Sequence, residues 1–97
     1  MSLNEKQKKY LRTLAHSKKP VVLTGAAGVS EALLAEVDVA LTRHELIKVR
    51  INAADHEERQ AMIDAITGNT GAELVQRIGH VAVLYRQAEK PQITLPK

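Results

Sequence analysis

The chain has 97 residues, a length that suits one domain with a single core. It contains no cysteine, which excludes a disulfide framework and a thiolate metal site, and no apolar run approaches the roughly 20 residues of a membrane span. The net charge of +3 is unevenly placed: six lysine and arginine residues but one glutamate fall within residues 1–20, whereas the remainder holds eight basic and ten acidic side chains. This asymmetry favours an anionic partner on one face, although a basic helix can also serve solubility alone.

The first predicted elements are a helix and a short strand. Asn4 and Gln7 have the spacing of a capping box, and apolar residues follow at helical spacing up to Ala15, so we predict a helix that ends at residues 16–17. Its basic side chains fall on the outer face. Pro20 cannot donate to a strand ladder and suits the first position of a strand formed by residues 20–23.

A second helix and a second strand follow. Ser30 is the predicted cap of a helix whose apolar residues recur at core-facing spacing from Leu33 to Leu41. Residues 45–51 alternate between apolar and other side chains, which predicts a strand. Its apolar set, which includes Val49, should face the helices, and Lys48 and Arg50 should lie on the opposite side.

The last elements complete an α-β-α-β-α-β-β order. Asp55 begins a third helix, with Glu58 at the capping-box position, and the run 67–71 is predicted to end it. Residues 73–78 and 81–86 predict an antiparallel hairpin around a two-residue turn. The fold class is therefore α/β: a two-layer sandwich of the α+β type with a mixed four-stranded sheet, whose last strand runs against the others. Residues 87–97 form a tail without a strong pattern.

The segment between the first strand and the second helix is the main candidate site. Gly25, Ala26, Ala27 and Gly28 form a glycine-flanked turn at a helix start, where free N–H groups and the positive helix end can hold a phosphate. The alternative is an ordinary strand-to-helix turn. The spacing is not that of a Walker loop, and the third glycine of a dinucleotide fingerprint is absent.

The positive charges near this loop are candidates for further phosphate contacts: Arg12, Lys18, Lys19, Lys48 and Arg50. The alternative is that they are solvated charges. The only aromatic residues are Tyr10 and Tyr85, too few for a stacking platform. Phosphates, 2′-hydroxyls and shape should therefore carry most of any affinity for RNA.

Catalysis and metal binding are not expected. The histidines His16, His44, His56 and His80 lie on four separate predicted elements, without metal-ligand spacing. His16 and His44 could donate to phosphate or satisfy backbone carbonyls, and both alternatives stay open. No nucleophile lies beside a base, and the acidic residues of the third helix fall mostly on its solvated side. We expect no cofactor and no enzyme activity.

Four blocks of the sequence resemble the CRM domain, named for chloroplast RNA splicing and ribosome maturation. They are LRTLAHSKKPVVLTGAAGVSEAL (11–33), HELIKVRI (44–51), TGAELVQRIG (70–79) and VAVLYR (81–86). The resemblance implies one domain over residues 1–97, with its core at about 3–86. It also implies a fold similar to the C-terminal domain of bacterial translation initiation factor three, with sheet order 1-2-4-3 and an antiparallel fourth strand.

The resemblance also implies the site. The family's GxxG loop falls on residues 25–28, its basic lead-in on His16, Lys18 and Lys19, and its HELIKVR block on residues 44–50. Many members carry lysine or asparagine inside the loop, whereas both middle positions here are alanine. The loop should therefore offer only backbone N–H groups and close approach.

The function implied is that of an RNA-binding protein which associates with precursors of the large ribosomal subunit and assists ribosome assembly. We expect a monomer without membrane contact. We also expect a cytoplasmic location, because the polar N-terminal residues lack the apolar stretch of a signal peptide. An alternative is a protein-binding adaptor whose basic end docks an acidic surface of a ribosomal protein or assembly factor. A third alternative is a binder of small nucleotides.

Overall fold

Residues 2–97, which the computed structural model describes, contain three helices and four strands in the predicted order. They are α1 (Glu5–Ala15), β1 (Val22–Leu23), α2 (Glu31–His44), β2 (Leu46–Arg50), α3 (His56–Thr70), β3 (Glu73–Ile78) and β4 (Val81–Tyr85). Within this range, no helix combines the length and the apolar character needed to cross a membrane.

The helices begin at the predicted caps. Asn4 and Gln7 form a reciprocal capping box, in which each side chain accepts the other residue's backbone N–H, at 2.8 and 3.0 Å. The Ser30 hydroxyl accepts the N–H of Leu33 at 3.1 Å, and Asp55 caps α3 by accepting from the N–H of Glu58. These side chains satisfy N–H groups that a helix start leaves unpaired.

α3 ends within the run 67–71, as the sequence pattern predicted. Its last helical residue is Thr70, so the helix includes Gly68. Thr67 and Thr70 direct their hydroxyls back to carbonyl oxygens four residues earlier, at 3.0 and 2.7 Å, an arrangement that helical backbone tolerates. Gly71, at a φ of 75°, supplies the left-handed conformation that ends the helix.

The four strands form one sheet in the order β1-β2-β4-β3. β1 pairs with β2 in parallel, with Val22 opposite Val49, and β4 runs antiparallel to both β2 and β3. The mixed sheet, its order and the reversed last strand are confirmed. β1 is shorter than predicted and begins after Val21, whose N–H donates to the carbonyl oxygen of Lys48.

One face of the sheet packs against α2 and α3. The buried residues on this face include Ile47 and Val49 of β2 and Ile51, which directly follows the strand. They pack with Val37 of α2 and Ile63 of α3. This is the side to which the alternation of residues 45–51 assigned the apolar set. The two-layer arrangement of sheet and helices predicted from the pattern describes this half of the molecule.

The other face is partly covered by α1. Leu11 and Ala15 of α1 pack with Leu46 of β2 and with Val83 and Tyr85 of β4 in a second buried cluster. α1 packs on this face against β2 and β3 and, through Val83 and Tyr85, against β4. The rest of the face stays open, and Lys48 and Arg50 lie on this open side.

Candidate nucleic-acid interface

The Gly25–Gly28 loop is a tight turn at the surface. The Gly28 N–H donates to the Gly25 carbonyl oxygen at 3.0 Å, and Gly28 has a φ of 66° that a side chain would strain. Ala26 and Ala27 form the exposed tip. Among residues 2–97 their N–H groups have no hydrogen-bond acceptor, so both are free for a ligand.

A residue that the sequence reasoning missed holds this loop in place. Thr24, which precedes the loop, is 1% exposed, and its N–H donates to the Arg50 carbonyl oxygen. Asn52 donates twice to Thr24, from its backbone N–H to the hydroxyl and from its side-chain amide to the carbonyl oxygen. The only sequence signal for Thr24 was a polar residue between an apolar strand and a glycine turn.

Two further sources of positive charge lie beside the loop. α2 begins within three residues of Gly28, and Ser30 satisfies the Leu33 N–H, which leaves the N–H groups of Glu31 and Ala32 at the positive helix end. Arg50 is exposed at the end of β2, directly opposite Leu23 in the sheet. The loop, the start of α2 and Arg50 therefore form one contiguous edge of the molecule.

Lys48 lies two residues before Arg50 on the same face and is partly engaged. Its ammonium donates to the Lys18 backbone carbonyl oxygen at 3.0 Å. This contact ties the segment between α1 and β1 to the sheet while leaving the positive charge in place. Lys48 is therefore both a tether for the Lys18–Lys19 segment and a cation on the open face.

Arg12 and His16 border the open face from the α1 side. Together with Lys9 and Thr13 they line a groove of about 540 Å³ whose other wall is Gln76 and Ile78 of β3. The basic outer face of α1 and the basic residues of β2 thus flank the same part of the sheet. The sequence pattern indicated each row of charges but not their common side.

Lys18, Lys19 and His44 gather at the other end of the molecule. They line a shallow hollow of about 230 Å³ together with residues 20–21 and 46–47, where β1 and β2 begin. His44 ends α2, whereas the glycine loop precedes its start, and a 14-residue helix is about 20 Å long. Of the residues predicted from the sequence, these three therefore lie apart from the loop.

Glu45, directly after His44, fixes this second end. Its side chain is fully buried, and its carboxylate accepts the backbone N–H groups of Ala88, Gln92 and Ile93 at 2.7–2.9 Å. Burial alone raises the pKa of Glu45, but the three hydrogen bonds outweigh that effect and leave the pKa below its ordinary value. The tail is thereby held against His44 and Lys18, with which Gln92 and Ile93 share a hollow.

A pair of basic side chains at the β3–β4 turn, Arg59 and His80, was not among the predicted site residues. The β3–β4 turn is anchored by the Ile51 N–H, which donates to the His80 carbonyl oxygen, and an Arg59 Nη atom lies 3.3 Å from His80 Nδ1. Consecutive residues 51 and 52 thus hold the turn on one side and the glycine loop on the other. Nothing in the local sequence pattern of α3 marked Arg59.

Residues 3–86 match the sequence model of the CRS1/YhbY (CRM) domain. A Haemophilus influenzae protein named as an RNA-binding protein is 49% identical over 96 residues, which cover 99% of this chain and 97% of that protein. A Pseudomonas aeruginosa protein, also named for RNA binding, is 39% identical over 98% of this chain and 91% of its own length. The solution structure of SAV1595 from Staphylococcus aureus, described as a candidate RNA-binding protein, has a TM-score of 0.84, 35% identity and coverage of 98% of this chain and 100% of that one.

Proposed function

This chain belongs to the CRS1/YhbY (CRM) domain family, and we propose that it is an RNA-binding protein without catalytic activity. The observation that carries the proposal is the edge where the glycine loop meets the start of α2 and Arg50. Free backbone N–H groups, a positive helix end and a guanidinium converge there. That combination suits a phosphodiester backbone.

In the proposed mechanism the loop takes one phosphate. The N–H groups of Ala26 and Ala27 donate to its oxygens, and the absence of larger side chains at the tip lets the sugar–phosphate backbone approach closely. Arg50 supplies a charge-assisted contact to the same or the next phosphate. Arg12, His16 and Lys48 border the path onward across the open face.

Lys18, Lys19 and His44 contact a second stretch of the same RNA in this proposal. Because they lie about 20 Å from the loop along α2, the RNA must be long enough or folded enough to reach both ends. We therefore assign the protein to structured RNA rather than to free nucleotides. The partner we propose is ribosomal RNA in precursors of the large subunit, bound by a monomer that assists assembly.

The test is a charge reversal at the second end. Lys18→Glu combined with Lys19→Glu removes two exposed cations and leaves the Lys18 carbonyl free to accept from Lys48. We expect the variant to bind a structured RNA at least about tenfold more weakly. The log–log salt slope should become shallower by about 0.7–0.9 for each phosphate that the protein no longer neutralises. Lys90→Glu with Lys97→Glu is the charge-matched control, since both lysines are exposed in the tail.

The same variants separate the adaptor alternative. An RNA binder loses co-sedimentation with ribosomal particles when Lys18 and Lys19 are reversed, and it loses that association after ribonuclease treatment. Association that survives both the reversal and the ribonuclease would instead identify a protein partner. Equal loss in the tail control would show a nonspecific effect of net charge.

A further inference from the structure

One row of side chains crosses the whole sheet on its open face. Leu23 of β1 lies opposite Arg50 of β2, Arg50 lies opposite Val81 of β4, and Val81 lies opposite Ile78 of β3. All four side chains lie on the α1 side, because their neighbours Val22, Val49 and Ala82 point into the core beneath α2 and α3. With strands about 4.8 Å apart, the row is about 14 Å long.

This row is unusually apolar for a surface. Leu23 is 59% exposed and Ile78 is 54% exposed, and Val81 between them is partly exposed. Single exposed apolar residues are common, but these three are aligned with only Arg50 among them. Exposed apolar side chains that are aligned and rimmed by polar residues are typical of interaction surfaces.

The ends of the row identify that partner. At its β1 end, Leu23 leads within two residues to the glycine loop. At its β3 end, Ile78 lines the groove that carries Lys9, Arg12 and His16. An RNA strand whose phosphates contact the protein at both ends must run along the apolar row between them. The positive rims exclude a purely apolar occupant and favour a polyanion.

We propose that this row is a platform for unpaired nucleotides, so that the protein selects single-stranded or bulged RNA at this face; the inference rests on the RNA binding proposed above. A duplex presents phosphates and sugars on its outside and cannot cover Leu23, Val81 and Ile78. An unpaired base can lie flat on these side chains, and the Arg50 guanidinium can stack on a neighbouring base. Aliphatic side chains here take the place that aromatic rings occupy in other single-strand binders.

The test combines Leu23→Thr with Ile78→Thr in one double variant. Threonine suits a strand and removes apolar surface without changing charge. We expect binding to a single-stranded RNA to weaken about tenfold, the equivalent of removing roughly 55 Å² of buried apolar area. Binding to a duplex of the same sequence and the salt slope of both should be unchanged. Val39→Thr, at a residue 53% exposed on α2, is the matched control.

Each other outcome is decisive. If the wild type binds RNA and the double variant binds single strands as tightly, the platform is refuted while the proposed function stands. If the variant loses affinity for single-stranded RNA and for the duplex equally, with its circular dichroism unchanged, the row does not select unpaired bases. If it keeps its RNA affinity but loses particle association, the row contacts a protein. If the wild type binds no RNA, the proposed function fails together with this inference.

Discussion

Asn52 holds Thr24 by two hydrogen bonds. The Asn52 backbone N–H donates to the Thr24 hydroxyl at 2.8 Å, and the Asn52 side-chain amide donates to the Thr24 carbonyl oxygen at 2.9 Å. Thr24 is the residue from which the glycine loop leaves the sheet. The connection between β2 and α3 therefore holds the start of the loop, and the position of the loop depends on a side chain 28 residues away.

Asn52→Ala should loosen the loop at a modest cost in stability. The substitution removes the donor to the Thr24 carbonyl oxygen, and we expect a loss of about 1 kcal/mol in the free energy of unfolding, measured in urea. The variant should stay folded, but its RNA affinity should fall several-fold, because the loop N–H groups are no longer held in position. Asn69→Ala removes a comparable amide hydrogen bond within α3 and should leave RNA affinity unchanged. Equal RNA affinity in both variants would contradict this role of Asn52.

Glu45 links the body of the protein to its tail through the three N–H groups that its carboxylate accepts. Glu45→Gln replaces one accepting oxygen by a donating NH₂ group, which must then face a backbone N–H. We expect a loss of roughly 2–4 kcal/mol in stability. Hydrogen exchange should accelerate at Ala88, Gln92 and Ile93. Glu89→Gln, an exposed tail residue, is the control and should alter neither quantity.

The same carboxylate predicts a pH dependence. Because the pKa of Glu45 is lowered in the folded protein, its contribution to stability is present above the ordinary value of 4.5. That contribution is lost as the pH falls from 4.5 through the lowered pKa. We expect the amide protection of the tail to disappear over this range in the wild type. In Glu45→Gln this component of the acid sensitivity should be absent. A wild-type tail whose amides stay protected in acid would contradict the role of the Glu45 carboxylate in holding the tail.

Much of this architecture is encoded locally, and that part was predictable. Asn4, Ser30 and Asp55 cap the helices that their sequence neighbourhoods predicted, and the alternation in β2 indicated the sides of Val49 and Arg50. Caps and alternation depend on residues within a few positions of one another. The glycine loop was found for the same reason.

The features that the sequence did not reveal depend on distant residues. Glu45 has the pattern of an ordinary polar residue before a strand, and only the folded tail makes it a buried acceptor. The placement of α1 on the second face of the sheet decides which charges share a surface. The sequence of α1 does not indicate which face of the sheet the helix covers. The row from Leu23 to Ile78 exists only through the register of four strands.

Tyr85 carries a buried hydroxyl without a hydrogen-bond partner among residues 2–97. Burial raises its pKa, and the nearby Glu45 charge raises it further. Tyr85→Phe removes the unsatisfied group, so we expect stability at neutral pH to be unchanged or to rise by up to about 1 kcal/mol. The wild type should lose stability as the pH rises above 10.0, the ordinary tyrosine value, and the variant should lose less. A clear destabilisation at neutral pH would show that the hydroxyl has a partner, such as a bound water.

Gly28 and Gly68 allow a paired test of the loop itself. Apart from the adjacent residues and, for Gly68, the backbone of its own helix, no atom lies within 4 Å of the place where a Cβ would lie, so an alanine meets no steric obstacle at either position. They differ in backbone conformation, because Gly28 has a φ of 66° in the turn and Gly68 lies inside α3. Gly28→Ala should cost about 1–2 kcal/mol, whereas Gly68→Ala should stabilise the protein by roughly 0.5–1 kcal/mol. Only Gly28→Ala should weaken RNA binding, because it strains the turn that presents the N–H groups of Ala26 and Ala27. If Gly28→Ala binds RNA as tightly as Gly68→Ala does, the glycine loop is not the phosphate site.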